Sequence, residues 1–138
     1  MSVPAKRVCE VLPNKVYLLS GLPFDEFLDS RIFEPLNMVD TDFYVSEDKI
    51  NRFAQVYGYN DAGELEAGEG FAFSNFLEDP AFKSGGGGLV STANDYMRFS
   101  QMLLNGGELD GARILAPLTI ELMRRDQTPK GMTGAMSG

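Results

Sequence analysis

Histidine is missing from this sequence of 138 residues, and cysteine occurs once, at Cys9. Without histidine the chain can build neither a Ser-His-Asp triad nor a His-ligated zinc site. A single cysteine excludes an intrachain disulfide, which fits a reducing compartment. Long apolar runs are absent too. The N-terminal stretch MSVPAKRVCEVLPNKVYLL is broken by polar residues and Pro13, so it reads as neither a signal peptide nor a membrane-spanning helix. Positive charge is scarce, with 12 Lys and Arg against 20 Asp and Glu, a net charge of -8 and a pI near 4.4. Such a surface repels phosphate backbones and anionic bilayers, so neither nucleic acid nor a membrane is expected as a partner. The cytoplasm is the default expectation for location. There is also no internal repeat and no long linker.

What is present belongs to an ordinary folded domain: 43% hydrophobic, 23% charged and 11% aromatic residues. The length suits one domain, 1–138, with its own core. Residues 1–19 read as a divergent or frayed start, because the helical spacing of Val8, Val11, Leu12, Val16 and Leu19 meets Pro13, which predicts a kink or break. Residues 127–138 read as a frayed tail.

Between these ends the pattern predicts about four helices with short strands, an α+β set dominated by helix. SGLPFDEFLDSRIFEPLNM starts a helix at Pro23, shows an apolar stripe of Phe24, Phe27, Leu28 and Ile32, and stops at Pro35. DTDFYV reads as a short strand or extended turn. SEDKINRFAQVY predicts a helix capped by Ser46, burying Ile50, Phe53, Ala54 and Tyr57. YGYNDAGELEAG reads as two strands around Asp61-Ala62-Gly63. STANDYMRFSQMLLNGG predicts a helix capped by Ser91 or Thr92, with an apolar face of Tyr96, Phe99, Met102 and Leu103 and a stop at Gly106-Gly107. GELDGARIL reads as a small hairpin or turn, and APLTIELMRRD as a last helix begun near Pro117.

Three stretches invite chemistry. Ser46-Glu47-Asp48-Lys49 fits Ser-x-x-Lys, in which a lysine one turn away can activate a serine. Ser46, however, stands at a capping position, and two acids beside Lys49 keep the amine charged, the wrong state for a base. Asp40-Thr41-Asp42 opens like a calcium loop, but Tyr44 and Val45 occupy the next ligand and glycine positions. The four consecutive glycines Gly85 to Gly88 are followed by Leu89-Val90, not by the Lys-Ser/Thr of a phosphate loop. They serve a tight turn, where glycine avoids clashes or reaches positive φ, or they form the bare wall of a pocket.

Three long segments, SGLPFDEFLDSRIFEPLNM, DTDFYVSEDKINRFAQVYGYN and SGGGGLVSTANDYMRFSQMLLNGGELDGARIL, in that order, closely resemble the class C β-lactamase-like serine hydrolases. These include family VIII carboxylesterases, D-alanyl-D-alanine carboxypeptidases and D-aminopeptidases. The likeness runs from about Ser20 to Met123, and the glycine-rich stretch is nearer the esterase-type branch. It implies a partial β-lactamase/transpeptidase-like fold lacking most of the central sheet. It also implies an intact enzyme that hydrolyses a small ester or amide through an acyl-serine, with no cofactor or metal.

The family's Ser-x-x-Lys and Tyr-x-Asn-like motifs precede these segments, and its Lys-Thr-Gly-like motif follows them. The resemblance therefore implies a piece without catalytic residues, in which Ser46 lies in the wrong segment. By the same likeness Gly86, Gly87 and Gly88 border the substrate pocket, and Phe71 to Lys83 form the loop leading into it. Asn37 departs from the glycine common in PLGM. A second reading is an interaction module that self-associates or complements a partner chain, because a piece lacking the main sheet should expose apolar surface.

Overall fold

The computed structural model describes residues 5–67 and 75–127, with side chains from residue 11 onward. Helix α1 (Ala5–Ser20) runs through Pro13 without ending. The break expected there does not occur. Pro13 is instead the buried side chain of the described part of this helix. It lies against Gly85, where an added Cβ would come within 3.3 Å of the proline ring and 3.0 Å of Leu12 Cβ. The helix closes with the Ser20 hydroxyl donating to Val16 O at 2.7 Å, and with Gly21 at φ +74.

Helix α2 (Phe24–Leu28) starts after Pro23, as the sequence predicts, and widens into a π-helical turn over Asp29–Phe33. The wide turn is closed by Glu34 N–H to Asp29 O at 2.9 Å. Such turns insert one extra residue and rotate the following side chains. Pro35 then ends the helix, and Asn37, at φ +53, reverses the chain. This reversal delivers Phe33, Leu36 and Met38 into the main core, where they meet Met102. Leu36 and Met102 are wholly buried, and Leu28, Ile32, Phe99, Leu103, Leu109 and Ile114 pack around the cluster.

The segment from Ser46 departs from its pattern. Only a 3-10 turn forms, over Glu47–Arg52, and the chain is extended from Phe53. Ile50, Phe53, Ala54 and Tyr57 are exposed rather than buried. A short amphipathic helix is stabilised mainly by a surface to pack its apolar face against. Here that face has little beyond Phe76, whose ring lies 6.3 Å from Phe53. Strands β1 (Tyr57–Tyr59) and β2 (Leu65–Ala67) form the expected antiparallel hairpin, with Tyr57 opposite Ala67 and Tyr59 opposite Leu65. Alternation places Tyr57, Tyr59, Leu65 and Ala67 on one face, and that face is exposed, Tyr59 by 78%.

Helix α3 (Ala93–Leu104) begins at Thr92, whose Oγ1 accepts from Asp95 N–H at 3.2 Å. Thr92, not Ser91, is therefore the cap. Met102 faces the core, with Phe99 and Leu103 half-buried, but Tyr96 is 68% exposed and Asp95 takes the buried place in the first turn. Gly107, at φ +97, ends the helix by donating its N–H to Met102 O at 2.9 Å. Strands β3 (Glu108–Leu109) and β4 (Ala112–Arg113) pair around Asp110-Gly111. Both turn residues have positive φ, at +50 and +84, the geometry that matches strand twist in a two-residue hairpin. Helix α4 (Pro117–Arg124) follows, with Pro117 in its first turn and Ile120 buried. Among the described residues the sheets are these two pairs, so the architecture is helical with short strands.

Candidate functional site

Asp95 organises the polar centre of the molecule. In a capping box the acid at this position reaches back to the backbone N–H of the cap residue. Here its Oδ2 accepts instead from Asp40 N–H at 2.7 Å and from Thr41 Oγ1 at 2.9 Å. Thr41 Oγ1 also meets Ser91 Oγ at 2.8 Å. Asp42 and Val90 exchange backbone hydrogen bonds of 3.2 and 2.8 Å, completing a strap that fixes residues 40–42 to the start of α3. Asp95 is 1% exposed, and its Oδ1 has no hydrogen-bond partner among the described residues.

The Asp40 side chain faces the other way, toward the 3-10 turn. Arg52 grips both of its oxygens, at 2.6 and 2.9 Å, and Lys49 Nζ stands 3.1 Å away. The hydrogen bond from Arg52, then that from Lys49, hold the Asp40 carboxyl well below the usual carboxylate range; Asp40 in turn raises the Arg52 guanidinium. Lys49 also donates to Val39 O. Ser46 hydrogen-bonds Asp48, and this contact is the main reason that the Asp48 carboxyl is lowered. Ser46 and Lys49 both line a cavity of about 400 Å³ with Asp40, Arg52, Ser91 and Thr92. Yet the amine is committed to a carboxylate and a carbonyl, and the hydroxyl to another carboxylate. The pair is built as a salt-bridged turn rather than as a nucleophile with its base.

The glycine run lies beside Phe43, whose ring a Cβ on Gly88 would approach to 3.9 Å. Gly87 and Gly88 line a second cavity, of about 570 Å³, with Phe43, Phe82, Glu78 and Asp79 among the other walls. Gly86 N–H approaches Ser84 Oγ at 3.3 Å, in the turn leading to them. Gly88 has φ +105, a conformation open chiefly to glycine. A Cβ on Gly87 would meet nothing within 4 Å. Gly85 keeps α1 close, as its contacts with Leu12 and Pro13 show, and Gly88 makes the turn. Gly87 has neither duty, so one turn does not account for the whole run. Of the expected loop from Phe71 to Lys83, residues 71–74 lie outside the described residues.

Lys83 carries no signal in the sequence, and the structure makes it a hub. Its amine pairs with Asp79, lies 3.8 Å from Asp25, and sits 5.7 and 5.8 Å from the ring centres of Phe43 and Tyr44. These contacts join α2, the strap and the segment before the glycines. Arg98 was equally silent; it donates to Leu36 O and pairs with Asp110 at 2.6 Å, linking α3 to the core turn and to the β3–β4 hairpin. No group of three or more His, Cys, Asp or Glu side chains able to hold a metal occurs among the described residues. Nor is any helix among them long and apolar enough to cross a membrane.

Comparison with known proteins bears on this geometry directly. The chain matches the Beta-lactamase family over residues 15–138. It belongs to that family. Protein Rv1367c of Mycobacterium tuberculosis (strain ATCC 25618 / H37Rv) is 38% identical over 125 residues, covering 91% of this chain and 31% of the relative. The uncharacterized protein MT1414 of strain CDC 1551 / Oshkosh gives the same figures. The chain thus spans about a third of the length of the curated relatives it matches.

Among solved structures, simvastatin synthase (LovD) from Aspergillus terreus is similar with a TM-score of 0.69 and 26% identity, over 86% of this chain and 28% of that one. EstCE1, a hydrolase with promiscuous acyltransferase activity, is similar with a TM-score of 0.64 and 27% identity, over 85% and 33%. The octameric penicillin-binding protein homologue from Pyrococcus abyssi, at 21% identity and a TM-score of 0.62 over 85% and 24%, shares the fold. Helices with short strands are therefore this family member's share of the β-lactamase/transpeptidase fold, within the serine hydrolase superfamily.

Proposed function

We propose that this chain supplies scaffold and one pocket wall to a β-lactamase-related serine hydrolase of the esterase or peptidase type, and that it does not turn over substrate alone. In the intact enzyme a serine would attack an ester or amide carbonyl, and water would release the acyl group from the resulting acyl-serine. The observation that carries this reading is the state of the one Ser-x-x-Lys pair. Lys49 is bound to Asp40 and Val39 O rather than to the Ser46 hydroxyl. A lysine that activates a serine must reach its hydroxyl, and this one is spent on a carboxylate and a carbonyl. The span matched in LovD and EstCE1, about a third or less of each, supports a part that relies on the rest of the fold for its chemistry. Gly86, Gly87 and Gly88 would then border the acyl pocket.

The test is turnover by the purified chain on nitrocefin and on p-nitrophenyl esters. No release of product above the buffer rate is expected. A burst of product that disappears in Ser46→Ala would overturn the reading.

A further inference from the structure

The cavity beside the glycine run has features that point to a ligand class, given the reading that this side of the chain borders the acyl pocket. At about 570 Å³ it falls in the size range of small-molecule sites. Phe43, Pro80, Ala81 and Phe82 give it apolar walls, and Gly87 and Gly88 add a wall without side chains. Phe43 is buried and held by the Phe24 ring at 5.9 Å, so that wall is rigid. Among the described residues the charged groups lining the cavity are both acids, Glu78 and Asp79. Asp79 is neutralised by Lys83, whereas Glu78 has no ion-pair partner among the described residues. An apolar chain would bury itself against the aromatic walls. A carboxylate entering the same space would meet the Glu78 charge, while the Lys83 amine beside the Phe43 wall is already engaged by Asp79.

We infer that this cavity binds the apolar part of an uncharged ester and discriminates against the corresponding free acid, with Glu78 as the discriminating residue. The acid is the product of ester hydrolysis, so the same wall that holds a neutral substrate weakens its hold on the product. At about 4 Å through water, repulsion between two unit charges corresponds to roughly a fivefold loss of affinity.

Saturation-transfer NMR on the full chain, titrated separately with methyl hexanoate and with hexanoate at pH 7, tests this. The ester should bind about fivefold more tightly than the acid, and Glu78→Gln should close most of that gap by strengthening acid binding. Gly87→Leu should abolish ester binding with an unchanged circular dichroism spectrum, because a Cβ there meets nothing and the backbone is not left-handed. Phe82→Ala, at a half-exposed wall outside the core, should weaken the ester several-fold. Equal affinity for ester and acid in the unmodified chain, no ester binding, or full ester binding in both Gly87→Leu and Phe82→Ala would overturn the proposal. Methanol released in the same samples would overturn the non-catalytic reading instead, and the two affinities would still decide this one.

Discussion

Replacing Asp95 with alanine tests the central strap most directly. The change removes the shared acceptor of Asp40 N–H and Thr41 Oγ1, both within 2.9 Å of Oδ2. A buried donor left without an acceptor costs about 1–3 kcal/mol. Thr41 can still turn to Ser91 Oγ, so its share falls at the low end, and the sum is about 3 kcal/mol. Against a total stability of about 5–15 kcal/mol for a domain, that is a large fraction. Asp95→Asn keeps an acceptor at Oδ for both donors but leaves its own buried N–H₂ without an acceptor, so it should cost about 1–2 kcal/mol, less than alanine.

Urea unfolding followed by far-ultraviolet circular dichroism is the assay, since the chain has no tryptophan to report by fluorescence. With a slope of about 1.5 kcal/mol/M, the alanine variant should lose roughly 2 M in midpoint. Pairing Asp95→Ala with Thr41→Val isolates their coupling, expected at about 1 kcal/mol. A loss below about 1 kcal/mol for Asp95→Ala, or equal losses for alanine and asparagine, would refute the assignment of the strap to these hydrogen bonds.

Two further changes probe other parts of the structure. Asp40, whose carboxyl is lowered chiefly by Arg52 and then by Lys49, adds stability that is present above its unfolded value of about 3.9 and fades as pH falls toward and through its folded value. The stability gap between the unmodified chain and Asp40→Asn, from urea midpoints, should be constant from pH 7 to 5 and shrink from pH 4 downward; a gap that grows on acidification would contradict the ion-pair geometry. Gly107→Ala would place a Cβ 2.2 Å from Leu115 O at φ +97, and should cost about 3 kcal/mol or more in the same unfolding assay. A loss under 1 kcal/mol would mean that the α3 terminus is looser than its hydrogen bonds indicate.

Local signals in the sequence were strongest where the backbone itself sets the outcome. Thr92, one of the two expected caps, Gly106-Gly107 and Pro117 each mark a start or stop by short-range chemistry and stand where they were expected, and GELDGARIL forms the small hairpin that was one of its two readings. The stretch from Ser46 to Tyr57 was misleading because helical spacing says which residues share a face, not whether that face finds a partner. Tyr96 fails for a related reason: Asp95, held by its contacts with Asp40 and Thr41, takes the buried place in the first turn of α3, and the neighbouring tyrosine faces solvent. The strap itself was illegible, since Asp40 and Asp95 are 55 residues apart and nothing local marks an acid that bonds across the fold. Lys83 and Arg98 share that difficulty. The glycine run was visible as an anomaly, but only coordinates separate Gly85, kept bare by α1, and Gly88, kept bare by its φ, from Gly87, which neither constraint holds.

Asn37 shows how a single dihedral can govern what a sequence is free to become. Its side chain is exposed and its φ is +53, so selection at this position acts through the backbone and hardly through the side chain. Glycine accepts that conformation without strain, asparagine and aspartate at small cost, and β-branched residues poorly. Glycine or aspartate in place of Asn37 would therefore keep the reversal that carries Leu36 and Met38 into the core, whereas valine or isoleucine would strain it.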